Sequence, residues 1–198
     1  KQLSPAEWKK IDKAVNSVNA EWDQLDEIKA WDYNSVCEHR DKCREAERTG
    51  KTIHFGRVFP VCHIKHSELA AVYHKYKGRV VFGGNQIRDE HGVLAVFQEQ
   101  GASASSMTAA KLLDALSRLP GFDGENADAY KAYTQAKLED FAGDTETWVE
   151  LPQDRWPKRW FNADGSAKFH RPVVRLLRNL YGHPLAGLWW EKHCHQQI

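Results

Sequence analysis

The first interpretable pattern in this chain is a stripe. Trp8, Ile11, Val15, Val18, Trp22 and Leu25 recur at spacings of three and four, which predicts one amphipathic helix running to about Lys29. Ser4 with Pro5 and Glu7 supplies its start, since a serine followed three residues later by glutamate makes a capping box. Such a stripe can seat a partner helix, but fewer than three heptads favours packing within its own domain. The polar text from Ala30 to Arg48 predicts a second helix from Ser35 to Arg48, stopped by Thr49-Gly50-Lys51. Ile53, Phe55, Val58, Phe59 and Val61 then predict short strands, interrupted at Gly56 and Pro60.

Arg79 to Phe82 predicts a strand, with positive-φ residues in Gly83-Gly84-Asn85 turning the chain into a hairpin that returns over Gln86 to Arg88. Gly101 and a serine-rich start lead to Met107, Ala110, Leu112, Leu113, Leu116 and Leu119, a helix ended by Pro120-Gly121 and expected to support a strand around Asp128. Thr147 to Leu151 and Val173 to Leu177 predict two more strands, separated by a Trp- and Pro-rich loop over Trp156 to Ser166. Tyr181-Gly182-His183-Pro184 turns the chain into a terminal helix. The fold class expected is α+β: an amphipathic helix, then mixed short strands and helices. Segments 1–50, 51–120 and 121–198 are expected to form one continuous globular unit.

Composition narrows the partners. A net charge of +1 confines any nucleic-acid surface to a local patch. The most basic text, with Lys65, His66, His74, Lys75 and Lys77, lies between His63 and Lys77. No apolar run approaches transmembrane length, so no membrane partner is expected. The scattered cysteines Cys37, Cys43, Cys62 and Cys194 read as free thiols of a reducing intracellular compartment, cytoplasmic or nuclear. A start at Lys1 and a stop within a helix-like run lead to the expectation of a fragment of something longer.

Candidate chemistry begins at Asp128, the one acid in Asn126-Ala127-Asp128-Ala129-Tyr130-Lys131-Ala132-Tyr133. A strand or a strand-to-helix turn there would half-bury the carboxylate, which then needs a backbone donor, a base such as Lys131, or a divalent cation as partner. The competing chemistry is metal ligation by Cys37, His39 and Cys43, by Cys62, His63 and His66, or by His193, Cys194 and His195, none of which has CxxC spacing.

Three stretches in order, Tyr76-Lys77-Gly78-Arg79-Val80-Val81-Phe82-Gly83-Gly84, the Asp128 stretch through Leu138, and Val173-Val174-Arg175-Leu176-Leu177-Arg178-Asn179-Leu180-Tyr181-Gly182, resemble the KARLVARG, DVKTAFLNG and VCRLKKSLYG motifs of copia-type retrotransposon reverse transcriptases. Trp148-Val149-Glu150-Leu151-Pro152 is similar to that family's IYMEQP, and the chain looks like a divergent branch. The resemblance implies a reverse-transcriptase-like fold, with fingers up to about residue 120 and then a partial palm. It implies an RNA-directed DNA polymerase working by two-metal nucleotidyl transfer, within a polyprotein whose other domains are partners.

By the same resemblance Asp128 is the first catalytic aspartate and a Mg²⁺ ligand, while Tyr133 lies beside the incoming sugar. Lys77 and Arg79 contact the triphosphate of a deoxynucleoside triphosphate. The RNA or DNA template-primer is the other substrate. Two departures stand out. Leu185 takes the place of the glutamine that follows the family's LYG, and the adjacent aspartate pair that completes the family's metal site is not in this chain. The chain alone is therefore expected to be inactive. The alternative is a non-catalytic remnant that binds nucleic acid or protein.

Overall fold

The structure, a computed structural model, describes residues 1–97, 106–125 and 128–197. The Gly101 region and the Asn126-Ala127 opening of the acidic stretch lie outside them. In chain order the elements are β1 (Gln2–Leu3), α1 (Pro5–Trp8), α2 (Asp12–Glu27), β2 (Trp31–Glu38), α3 (His39–Thr49), β3 (Ile53–Lys65) and β4 (Lys75–Phe82). They continue with α4 (Met107–Ser117), α5 (Ala132–Gln135), α6 (Leu138–Phe141), β5 (Glu146–Glu150), β6 (Pro172–Leu176) and α7 (Ala186–Gln197). The fold is mixed α+β.

A six-stranded sheet runs β1-β3-β5-β6-β2, with β4 also on β3. β3 is the long member. Its first half, Ile53 to Arg57, lies parallel to β5, and its second half, Val58 to Lys65, pairs antiparallel with β4. The short interrupted strands expected there are one continuous strand. Pro60 is tolerated because β1 reaches only Cys62 and His63 and β5 only Arg57, so at Pro60 the strand has one neighbour and no second N–H to supply.

The helical stripe is buried as its spacing requires, with Trp8, Val18, Trp22 and Leu25 all under 5% exposed. The helix itself is broken. The capping box at Ser4 and Glu7 forms, α1 closes at Trp8, and extended Ile11 restarts the chain as α2. The break lets Leu3 and Trp8 fold back with Ala14 and Val18 onto Cys62, while Trp22 and Leu25 enter the main core.

The helix expected from Ser35 begins only at His39. Residues before it are drawn into β2 by pairing with β6, where a bulge between Asp32 and Cys37 lets the Ser35 hydroxyl accept the Arg175 N–H at 2.8 Å. Its end is as expected, with Gly50 left-handed at the stop.

Arg79 to Phe82 is a strand, but its hairpin partner lies upstream. β4 pairs with β3 through the loop 66–74, flanked by Lys65 and Lys75, and Arg88 bridges to Phe55 of β3 instead of returning along β4. Gly83 has φ −79, so the expected positive-φ turn is absent there. The leucine-rich helix forms as α4 with Leu112, Leu113 and Leu116 exposed. No strand lies at Asp128 for it to support, because residues 128–131 are loop and turn. Its periodicity is sound, and the apolar face it predicts is left without cover among the described residues.

Helix α2 lies across β4. The contact centres on Gly78, where a Cβ would collide with the Ser17 backbone. In its absence the Ser17 hydroxyl accepts the Gly78 N–H at 2.7 Å and donates to the Tyr76 carbonyl at 3.1 Å. This crossing fixes the outward face of β4.

Candidate nucleotide face

Alternation along β4 turns Gly78, Val80 and Phe82 inward and leaves Lys77, Arg79 and Val81 half-exposed on the other face. Arg79 is the centre of that face. Its guanidinium meets the Glu21 carboxylate of α2 at 3.4 Å, donates to the Gly78 carbonyl at 3.3 Å, and lies over the Tyr181 ring at 5.4 Å. Lys77 projects two residues away. Partial burial, then the charges of Arg79 and Lys65, holds its ammonium below the ordinary lysine range.

Two main-chain links bring the other residues to Arg79. The Phe82 N–H donates to the Tyr181 carbonyl at 2.7 Å, fastening the end of β4 to the turn after β6. Downstream, Leu138 N–H bonds Leu177 O and Asn179 N–H bonds Ala136 O, both at 2.9 Å, so segment 136–138 runs beside 177–179. The Tyr133 ring therefore lies 4.8 Å from Tyr181. Burial first, with the charges of Glu21, Tyr133 and Asp128, pushes the Tyr181 phenol above its ordinary pKa against the pull of Arg79.

Thus Arg79 and Tyr133 lie against Tyr181, with Lys77 beside Arg79 on the same strand. Asp128 itself is exposed in a loop, which corrects the half-buried strand position expected from its apolar neighbours. Left-handed Lys131, at φ 50, ends that loop and starts α5. Sequence reasoning missed Tyr181, read only as part of a turn, and Glu21, which lies off the apolar stripe of α2. The signal for Tyr181 was its place in the LYG text. Leu185, in the place of the family glutamine, is partly buried against the main core.

As to metal chemistry, among the described residues no group of three or more His, Cys, Asp or Glu side chains is placed to hold an ion. His39 Nδ1 and Cys43 Sγ are 3.6 Å apart, and burial pushes the nearby Cys37 thiol up to about 11, which suits neither ligation nor nucleophilic attack. All four cysteines are free. Among the described residues no helix is long and apolar enough to cross a membrane. Comparisons with family models, curated proteins and solved structures find no match.

Gly182 holds the Tyr181 turn. It sits at φ +91, and a Cβ there would collide with the Phe82 carbonyl oxygen, a backbone atom that cannot swing aside. Gly182→Ala should cost roughly 2 to 4 kcal/mol in a denaturant melt, through forced left-handed strain plus the displaced Phe82–Tyr181 bond. A variant as stable as the parent would show that this turn does not hold the face together.

Proposed function

We propose that this chain is the fingers and first palm portion of a copia-type retrotransposon reverse transcriptase, an RNA-directed DNA polymerase, and that the Arg79 face binds the incoming deoxynucleoside triphosphate. One observation carries the reading: Arg79 and Tyr133, from two stretches marked by the family resemblance, both lie against Tyr181 of the third. In this reading Lys77 and Arg79 neutralise the triphosphate, with the arginine presenting a planar fork to its oxygens. Tyr133 and Tyr181 form the aromatic wall beside the sugar. Asp128, exposed and with hard oxygen donors, would be one ligand for Mg²⁺, which would supply charge neutralisation at the transferring phosphate. This chain's donors fit that metal only in part, since a pair of ions about 3.5 to 4 Å apart needs several carboxylates.

Glu21 is the competing anion on Arg79. A triphosphate must displace it or share the guanidinium. Lys77→Ala with Arg79→Ala should therefore lower the affinity for a magnesium deoxynucleoside triphosphate about a hundred-fold, roughly tenfold per lost charged contact, and Glu21→Gln should raise it several-fold. Equilibrium titration of the full chain across a salt series measures both, and an affinity indifferent to the double change removes the face from the mechanism.

The second reading, a remnant that binds nucleic acid or protein without catalysis, is favoured by Leu185 packed on the core where the family has its glutamine. It keeps salt-sensitive binding on the same basic strand and forgoes turnover.

A further inference from the structure

A second cationic feature lies apart from the nucleotide face. A cavity of about 750 Å³ opens where the starts of β3 and β5 meet the end of β6, and none of Lys77, Arg79, Asp128, Tyr133 or Tyr181 lines it. This volume lies in the range of small-molecule sites. Its walls carry five cationic side chains, Lys29, Lys51, Lys137, Arg175 and Arg178, against the carboxylates of Glu139, Asp144 and Glu146. Cations are in excess by two.

Two of these cations share the single Glu146 carboxylate, Lys51 at 3.6 Å and Arg175 at 4.0 Å, both longer than a tight charge-assisted hydrogen bond; it also accepts the Trp148 indole N–H at 3.0 Å and lies 3.8 Å from Lys42, which is outside the cavity and paired with Glu45 at 3.0 Å. Lys51 and Arg175 therefore keep donors for another anion. Arg178 gives one N–H to the Gln135 carbonyl at 3.0 Å and retains others of its fork.

Lys29 adds a second, independent signal. It is exposed, lines the cavity and holds φ 53, a left-handed conformation that glycine adopts without strain and lysine does not. The turn needs only the backbone there: Lys29 N–H bonds Asp26 O at 3.0 Å and Ala30 N–H bonds Leu25 O at 2.9 Å. The side chain is superfluous to the turn, yet it supplies a cation at the mouth of the cavity.

We propose that this cavity is a second anion site, separate from the nucleotide face, that takes adjacent phosphate groups through Lys29, Lys51, Arg175 and Arg178. The phosphates come from a nucleic-acid backbone or from a free polyphosphate. The site is independent of the polymerase reading and survives its failure.

The test is calorimetric titration of the full chain carrying Lys77→Ala and Arg79→Ala, so that the nucleotide face is silent, with inorganic tripolyphosphate and with a short oligo(dT) as probes. Lys29→Gly should weaken binding about tenfold, and adding Arg178→Gln about a hundred-fold. The melting temperature of Lys29→Gly should be no lower, because glycine relieves the left-handed strain; a residue serving only the turn would leave binding unmoved. Loss confined to tripolyphosphate supports the proposal with a free polyphosphate as ligand, and loss confined to oligo(dT), with a reduced salt slope, supports it with the nucleic-acid backbone. Unchanged affinity for both probes in both variants, or no binding of either probe before the changes, overturns it.

Discussion

Magnesium-dependent primer extension, by a protein that carries this chain together with a downstream pair of adjacent aspartates, should fall about a thousand-fold when Asp128 becomes Asn. The amide keeps the shape and loses the charge. A metal-held phosphoryl oxygen is worth several kcal/mol of transition-state stabilisation, and each 1.36 kcal/mol is tenfold in rate. Because Asp128 is exposed in a loop, Asp128→Asn should leave the melting temperature unchanged, so lost turnover cannot be charged to lost fold. The same change should barely move the affinity for a metal-free triphosphate, which in the proposed reading is held by Lys77 and Arg79. Residues 1 to 198 alone should not extend a primer, since one carboxylate does not hold two divalent ions. Robust extension by that chain, or an extended protein indifferent to Asp128→Asn, removes Asp128 from the metal site.

What was legible in the sequence was mostly local. The Ser4-Glu7 capping box, the buried stripe from Trp8 to Leu25, the Gly50 stop and the strands around Val149 and Val174 each follow from signals within a few residues, and each is present. What was illegible depends on distant pairing. Trp31 and Tyr33 alternate with polar residues, but the polar text around them outweighs that signal; pairing with β6, far along the chain, makes 31–38 a strand. Gly83-Gly84 carried a turn signal, yet Phe82 is fastened to Tyr181, and that link decides the chain path there. The site divides in the same way. Lys77, Arg79, Asp128 and Tyr133 are marked by the family resemblance and Tyr181 stands in its LYG text, whereas Glu21 acquires its place only when α2 crosses β4.

The same docking should make the fold acid-labile in a window set foremost by one histidine. His183 is buried, stacked 4.4 Å from Trp189 and 4.9 Å from Phe82, with Phe97 at 5.8 Å. Its Nδ1 accepts the Leu185 N–H at 3.1 Å, so the ring proton is on Nε2, which has no partner among the described residues. Burial first, with His54 adding to it, pushes the pKa down to about 3. The sign follows. The unfolded chain takes up a proton near pH 6.5 and the folded chain only near pH 3, so stability is intact above pH 6.5 and declines as pH falls. The decline is about 1.4 kcal/mol per pH unit, or about 5 kcal/mol across the window, against a net stability of about 5 to 15 kcal/mol for a typical domain. Ordinary carboxylates protonate lower, so the stretch from pH 6.5 to about 4.5 belongs to the buried histidines, His183 foremost, with the half-buried His54 and His39, whose pKa values burial also lowers. His183→Phe preserves the stacking shape and removes this titration, and its melting temperature should fall less steeply over that stretch than the parent's. Equal slopes for the two proteins would place the acid lability elsewhere, in His54 and His39.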